Sequence, residues 1–116
     1  MLAALGILAQ TPARRRLAVL GDMLELGTYE EAAHREVGRE VARVADVLLT
    51  IGPRARIIAD EAIRQGFAAG QVHQFARKDG VVAALRAELR EGDAVLIKGS
   101  RGLALEDVVA ELREAR

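Results

Sequence analysis

Apolar residues follow two rhythms along this chain. Three compact runs, at 17–20, 47–51 and 94–97, are apolar nearly throughout, and a shorter, weaker one lies at 72–75. Runs of this length are too short for helices and predict strands buried on both faces, as in a parallel sheet. Around them, apolar residues recur at steps of three and four: Leu2, Leu5 and Leu8; Val37, Val41 and Val44; Ala55, Ile58, Ala59 and Ala62; Val82, Leu85 and Leu89; Leu105, Val108, Val109 and Leu112. Each set marks the buried face of a helix. Punctuation agrees with this division. Thr11-Pro12 ends the opening helix, and Thr28 followed by Glu30 and Glu31 opens the next, which is expected to run to about Ala45. Asp46 leads into the second strand. Gly52-Pro53 closes that strand and places proline at the first position of the third helix, which Gly66 stops. Asp79 is expected to cap the following helix and Gly92 to end it. Glu106 and Asp107 sit near the positive end of the last.

A helix followed by four strand–helix units defines an α/β domain with a doubly wound, Rossmann-like, mainly parallel sheet and helices on both faces. With right-handed crossovers the strand order 3-2-1-4 makes the first and fourth strands neighbours. Their following loops, 21–27 and 98–102, then face each other at the switch point where such sheets bind ligands. A flavodoxin-like order, 2-1-3-4, would bring residues 76–79 beside the first loop instead. The former is preferred because 98–102 looks more like a binding loop. The 116 residues make a single domain, 1–116, able to bury roughly 65% of its unfolded surface. Its opening helix has no strand before it, which suggests a piece of a longer protein.

Composition narrows the function classes. Half of the residues are hydrophobic but only three are aromatic, so the core is aliphatic, as expected of helices on a parallel sheet. Seventeen basic and seventeen acidic residues cancel, leaving no net field to attract nucleic acid or an anionic membrane. Cysteine is absent and the two histidines have no metal-ligand spacing, so no disulfide and no metal site is expected. No run approaches the roughly 18 apolar residues of a membrane span, and no signal peptide opens the chain, so a cytoplasmic location is expected. Only two of the basic residues are lysines, which makes Lys98 unusual within its own sequence.

Two loops carry candidate chemistry. Lys98, Gly99, Ser100, Arg101 and Gly102 combine two cations, a hydroxyl and two permissive glycines directly before a helix, a combination suited to a carboxylate or phosphate. The plain alternative is a tight turn with solvated cations. In the first loop Asp22 and Glu25 suit an ammonium group or a metal; alternatively Asp22 caps a turn and Glu25 is solvated. Met23, Leu24 and Leu26 are more apolar than a free loop requires and are expected to pack against something. His34, read as lying on a different side of its helix from the valines, either reaches toward the loop or a ligand or is exposed. His73 is structural or exposed. Neither a Walker P-loop nor a Gly-x-Gly-x-x-Gly fingerprint occurs, so the chain has no nucleotide triphosphate site of its own.

The stretches Val-Leu-Gly-Asp-Met-Leu-Glu-Leu-Gly (19–27), His34 seven residues later, Ala-Asp-Val-Leu-Leu-Thr-Ile-Gly (45–52) and Gly-Asp-Ala-Val-Leu-Ile-Lys-Gly-Ser-Arg-Gly (92–102) together resemble the C-terminal domain of the Mur ligases. The resemblance covers essentially the whole chain and is to the members that add D-alanyl-D-alanine to UDP-N-acetylmuramoyl-tripeptide. It implies a three-domain, ATP-dependent, cytoplasmic ligase of peptidoglycan synthesis. The central ATPase domain would hold ATP and Mg2+, and the third domain would close over it as partner. It further implies that the tripeptide's terminal carboxylate becomes an acyl phosphate, which the dipeptide amine attacks. On that basis Lys98, Ser100 and Arg101, with the Gly99 amide, are expected to hold the dipeptide carboxylate or transient phosphate. Asp22, Glu25 and His34 are expected to order the opposite wall, and Met23 is counted with them among the substrate-binding residues. No catalytic residue is assigned. Lacking the first two domains and the acidic, asparagine-rich segment that precedes the opening helix in the family, the chain alone is expected to be inactive. Two other classes stay open: a stand-alone regulatory or protein-binding α/β domain, for which Asp22 is a lone acid, and a related Mur or folylpolyglutamate-type ligase domain with a different amine substrate.

Overall fold

The structure, a computed structural model, describes residues 1–22 and 29–98. The chain runs α1 (Leu2–Gln10), β1 (Arg15–Gly21), α2 (Glu30–Val44), β2 (Val47–Ile51), α3 (Ala55–Arg64), a 3-10 turn (Ala69–Gln71), β3 (Val72–Phe75), α4 (Lys78–Glu88) and β4 (Asp93–Lys98). All four strands are parallel, in the order β3-β2-β1-β4. This is the expected 3-2-1-4 winding. The flavodoxin-like order is excluded because β3 lies at the far edge against β2. The Thr28 cap and the helix expected around 105–112 lie outside the described residues.

Burial on both faces explains why the strands read as unbroken apolar runs. Along β1, Ala18 and Leu20 face a core formed with Leu5 and Leu8 of α1, Val37 and Val41 of α2, and Ile58, Ala59 and Ala62 of α3. The alternate residues, Leu17 and Val19, face Val81, Val82 and Leu85 of α4. Three helices thus cover one face, whereas α4 covers the other over β2 and β3. Small residues let α2 and α3 approach closely. A Cβ on Gly38 would stand 2.6 Å from the Ile58 carbonyl oxygen and 2.7 Å from the Glu61 Cβ, so a glycine that would otherwise weaken α2 is required there. None of the described helices is long and apolar enough to cross a membrane.

Several boundaries differ from expectation. The N-cap of α4 is Arg77, and Asp79 lies inside the first turn, where no side-chain cap bond forms and its charge complements the helix dipole. α3 begins at Ala55, two residues beyond Pro53. α4 ends at Glu88, so Gly92 does not stop the helix; its φ of 91° makes the turn into β4. Gly66, with φ 98°, does follow the end of α3 as expected.

At the amino-terminal ends of the strands, the arginines that bracket β1 have specific partners. Arg16 donates from Nε to the Leu8 carbonyl at 2.9 Å and from Nη2 to the Thr11 carbonyl at 2.8 Å, closing the end of α1. Arg15 donates to both carboxylate oxygens of Asp93, at 3.2 and 2.6 Å, and to Glu88 at 2.7 Å. The Asp93 side chain is only 3% exposed. The hydrogen bond from Arg15, reinforced by the Arg90 backbone N–H and nearby positive charge, holds the Asp93 carboxyl below its ordinary value.

Two outcomes are expected. Gly38→Ala lowers stability by about 1–3 kcal/mol through forced separation of α2 and α3, measurable as a lower urea midpoint. Because the folded Asp93 pKa is depressed, its contribution is present above the ordinary carboxylate range and is lost as pH falls through the depressed value. Asp93→Asn therefore flattens the acid limb of the stability–pH profile; an unaltered acid limb would contradict the assignment.

Candidate functional site

The register aligns Leu20 of β1 with Thr50 of β2 on one side and Lys98 of β4 on the other, so three carboxyl ends meet at one rim. Adjacent strands lie about 4.8 Å apart. Asp22 leaves the centre of this rim, and Lys98, exposed, ends the neighbouring edge strand. The junction expected between the first and fourth strands therefore exists, with no strand between them.

Asp22 is buried, and its carboxylate is already engaged within the fold. Oδ1 accepts a 2.7 Å hydrogen bond from the Ala55 backbone N–H, the first residue of α3. The helix is capped from a distant strand end, since its own N-cap residue, Arg54, makes no side-chain cap bond. Gly52, at φ 101°, permits the contact: a Cβ there would stand 2.6–2.8 Å from the Asp22 carboxylate atoms. Oδ2 lies 3.6 Å from Nη1 of Arg54, whose Nε contacts the Glu30 carboxylate. With Arg54 45% exposed, this ion pair adds little beside the buried cap bond. The Asp22 carboxylate thus ties the end of β1 to the start of α3, a capping contact of the kind the plain alternative expected.

His34 departs from expectation. It is completely buried and shares the inward face of α2 with Val37, Gly38 and Val41. Positions 34, 37, 38 and 41 follow helical spacing, so the histidine belongs to the apolar stripe and is not exposed. Its Nδ1 lies 2.6 Å from the Glu30 carbonyl oxygen. A carbonyl only accepts, so Nδ1 carries the proton. Met23, Glu25, Gly99, Ser100 and Arg101 lie outside the described residues.

Three features of the rim were not anticipated. Arg54 joins the start of α2 to the end of β1 through Glu30 and Asp22. The Thr50 hydroxyl, on the α2–α3 face of β2, is fully buried with no hydrogen-bond partner among the described residues. A cavity of about 510 Å3 opens beside the ends of β2 and β3, lined by Gly52, Pro53, Arg56, Gln74, Phe75 and Ala76. The available signal was Gly-Pro-Arg directly after a buried strand, at the same rim as the first loop.

A doubly wound α/β domain with a four-stranded parallel sheet, in which the ends of the first and fourth strands are neighbours, is the class that the fold defines. The family model described as "Mur ligase, glutamate ligase domain" matches residues 1–101, and the chain belongs to that family. It is 40% identical to the UDP-N-acetylmuramoyl-tripeptide–D-alanyl-D-alanine ligase of Synechocystis over 97% of this chain and 24% of that protein. Its identity to the ligase of the same name is 35% in Bacillus subtilis, over 87% of this chain and 22% of the relative. In Escherichia coli it is 38%, over 98% and 24%. The chain therefore spans about a quarter of these relatives. Among solved structures, the fold matches MurF ligase from Thermotoga maritima in complex with ADP, with TM-score 0.75 and 24% identity over 96% of this chain and 24% of that one. MurF from Acinetobacter baumannii matches with TM-score 0.77 and 24% identity over 97% and 25%.

Asp22→Ala is expected to cost about 0.5–2 kcal/mol through loss of the α3 cap. Thermal unfolding measures this, and amide exchange should accelerate first at Ala55. Unchanged exchange there would show that the carboxylate does not hold the helix start.

Proposed function

We propose that this chain is the C-terminal, acceptor-binding domain of a longer, three-domain cytoplasmic ligase that joins D-alanyl-D-alanine to UDP-N-acetylmuramoyl-tripeptide in peptidoglycan synthesis. The observation that carries this reading is 35–40% identity, over most of this chain, to ligases named for that reaction. The parallel β1–β4 pairing supports it by bringing Asp22 and Lys98 to a common rim. The MurF structure holding ADP supports adenine nucleotide use by the whole enzyme.

Neither ATP nor Mg2+ is assigned to this chain. Among the described residues no group of three acidic or imidazole side chains fits a metal, and the sequence has no Walker P-loop. In this reading both belong mainly to the central ATPase domain, the partner of this one. ATP supplies the phosphoryl group that activates the tripeptide carboxylate. This domain's task is to hold the dipeptide by its carboxylate and aim its amine at the activated carbonyl carbon. A C–N bond forms, the amine gives up a proton, and the carbon–oxygen bond to phosphate breaks. Correct orientation replaces entropic cost, worth about 7–11 kcal/mol in favourable model reactions.

Lys98, Ser100 and Arg101, with the Gly99 amide, supply charge and hydrogen bonds to the dipeptide carboxylate or departing phosphate. Met23 and Glu25 line the opposite wall, and Asp22 and His34 position that wall from behind. In the full-length enzyme, Arg101→Ala and Ser100→Ala are expected to raise the KM for D-alanyl-D-alanine. About 1.5–3 kcal/mol per charge-assisted hydrogen bond corresponds to roughly 10–150-fold. The KM for ATP stays within about twofold. Steady-state phosphate release, with each substrate varied in turn, measures both. Unchanged dipeptide KM and turnover would remove these residues from the site. Equal turnover with unrelated amines would remove the assigned acceptor.

A further inference from the structure

We propose that the outward face of α1, formed by Leu2, Ala3, Gly6, Ile7 and Ala9, is a docking surface covered by the central domain of the full-length enzyme. This rests on the reading of the chain as one domain of a longer ligase. α1 is two-sided in burial but not in chemistry. Leu5 and Leu8 face the core, while Leu2, Ala3, Ile7 and Ala9 are exposed, Leu2 by 39% and Ile7 by 71%. The helix contains no charged residue, although charged residues make up 29% of the chain. By contrast, the outward faces of α2 and α3 carry Glu36 and Arg39, and Asp60 and Arg64, as solvated helix faces do. A helix that is apolar all round belongs in a buried setting.

Gly6 points the same way independently. It lies in the middle of α1, where glycine weakens a helix, yet a Cβ there would meet nothing within 4 Å. At Gly38 the fold itself requires the missing side chain, since α3 lies against it. At Gly6 no described residue makes that demand, so the close approach that glycine permits is left to a surface outside the domain. Helical spacing sets Ala3 and Gly6 between Leu2 and Ile7, a pattern that fits an apolar, uncharged ridge. Size selects the occupant. Nine residues give a face about 14 Å long and about 10 Å wide, far short of the roughly 800 Å2 per partner that holds a free dimer together. A neighbour in the same polypeptide needs less area, because tethering supplies a high effective concentration. The chain spans about a quarter of its relatives, so most of the proposed enzyme lies outside it. In that reading the central domain connects to this one through α1, its first element.

Thiol labelling tests the proposal. Ile7→Cys is placed in the 116-residue chain, which has no cysteine of its own, and in the full-length enzyme, where mass spectrometry identifies the labelled peptide. N-ethylmaleimide is expected to modify residue 7 about tenfold more slowly in the enzyme than in the chain, because thiol reactivity follows access. Ala83→Cys, on the exposed side of α4, should react within about twofold in both. A second measurement labels Ala3→Cys with and without Ile7→Asp. Ile7→Asp is expected to speed labelling of residue 3 about tenfold in the enzyme and less than about twofold in the chain. Equal rates at residue 7 in chain and enzyme overturn the proposal. Slow labelling in the chain itself overturns it too, and a dependence on concentration would mean that a second copy covers the face. Dipeptide-dependent phosphate release by the unsubstituted enzyme separates this inference from the ligase reading. Protection of residue 7 without that activity keeps the docking surface and removes the ligase assignment; activity with residue 7 equally reactive removes the docking surface alone.

Discussion

Parallel pairing of β1 with β2 and β4 at once is the constraint on which the rest of the molecule depends. It buries β1 on both faces and along both edges, which is why its interior residues are aliphatic. It also forces the carboxyl ends of three strands onto one rim. Leu20, Thr50 and Lys98 are far apart in sequence and become neighbours only through this register. Slippage of β4 relative to β1 would exchange its inward and outward faces and carry Lys98 away from the end of β1.

The two ends of the sheet treat charge differently. At the amino ends, Arg15 satisfies Asp93 and Glu88 with hydrogen bonds from a fixed guanidinium fork, closing β1, α4 and β4 together. The Asp93 carboxylate is nearly fully buried in this arrangement, while Arg15 and Glu88 remain partly exposed. At the carboxyl ends the buried anion, Asp22, is met by a backbone N–H at the start of α3, where the helix's positive end favours negative charge. The strand ends are thereby joined while Lys98 stays exposed at the same rim.

Close helix packing supports this arrangement from behind. Gly38 brings α2 against α3, and α3 begins where Asp22 holds it. His34 lies completely buried on the same face of α2, tied to Glu30, whose carboxylate meets Arg54. The start of α2, the start of α3 and the end of β1 consequently form one connected unit. Gly38 and Gly52 both lie at close approaches within this unit, the first to α3 and the second to the Asp22 carboxylate.

Much of the fold was legible in the sequence because its causes are local or periodic. Strands buried on both faces leave unbroken apolar runs, helices leave a three-and-four spacing, and crossover handedness then limits the order of the strands. Helix starts were less legible because distant groups decide them: Asp22 caps α3 across the sheet, and Arg77, not Asp79, precedes α4. His34 was misread because a polar residue opens an otherwise apolar stripe, and its full burial follows from the packing of α2 against its neighbours. Residue order narrowed the winding to two strand orders, and the pairing of β1 with β4 selected 3-2-1-4. Only the tertiary structure decided that Asp22 is engaged by Ala55, that His34 is interior and that Arg54 bridges two helix starts, because hydrogen bonds and burial depend on which residues the fold brings together from distant parts of the chain.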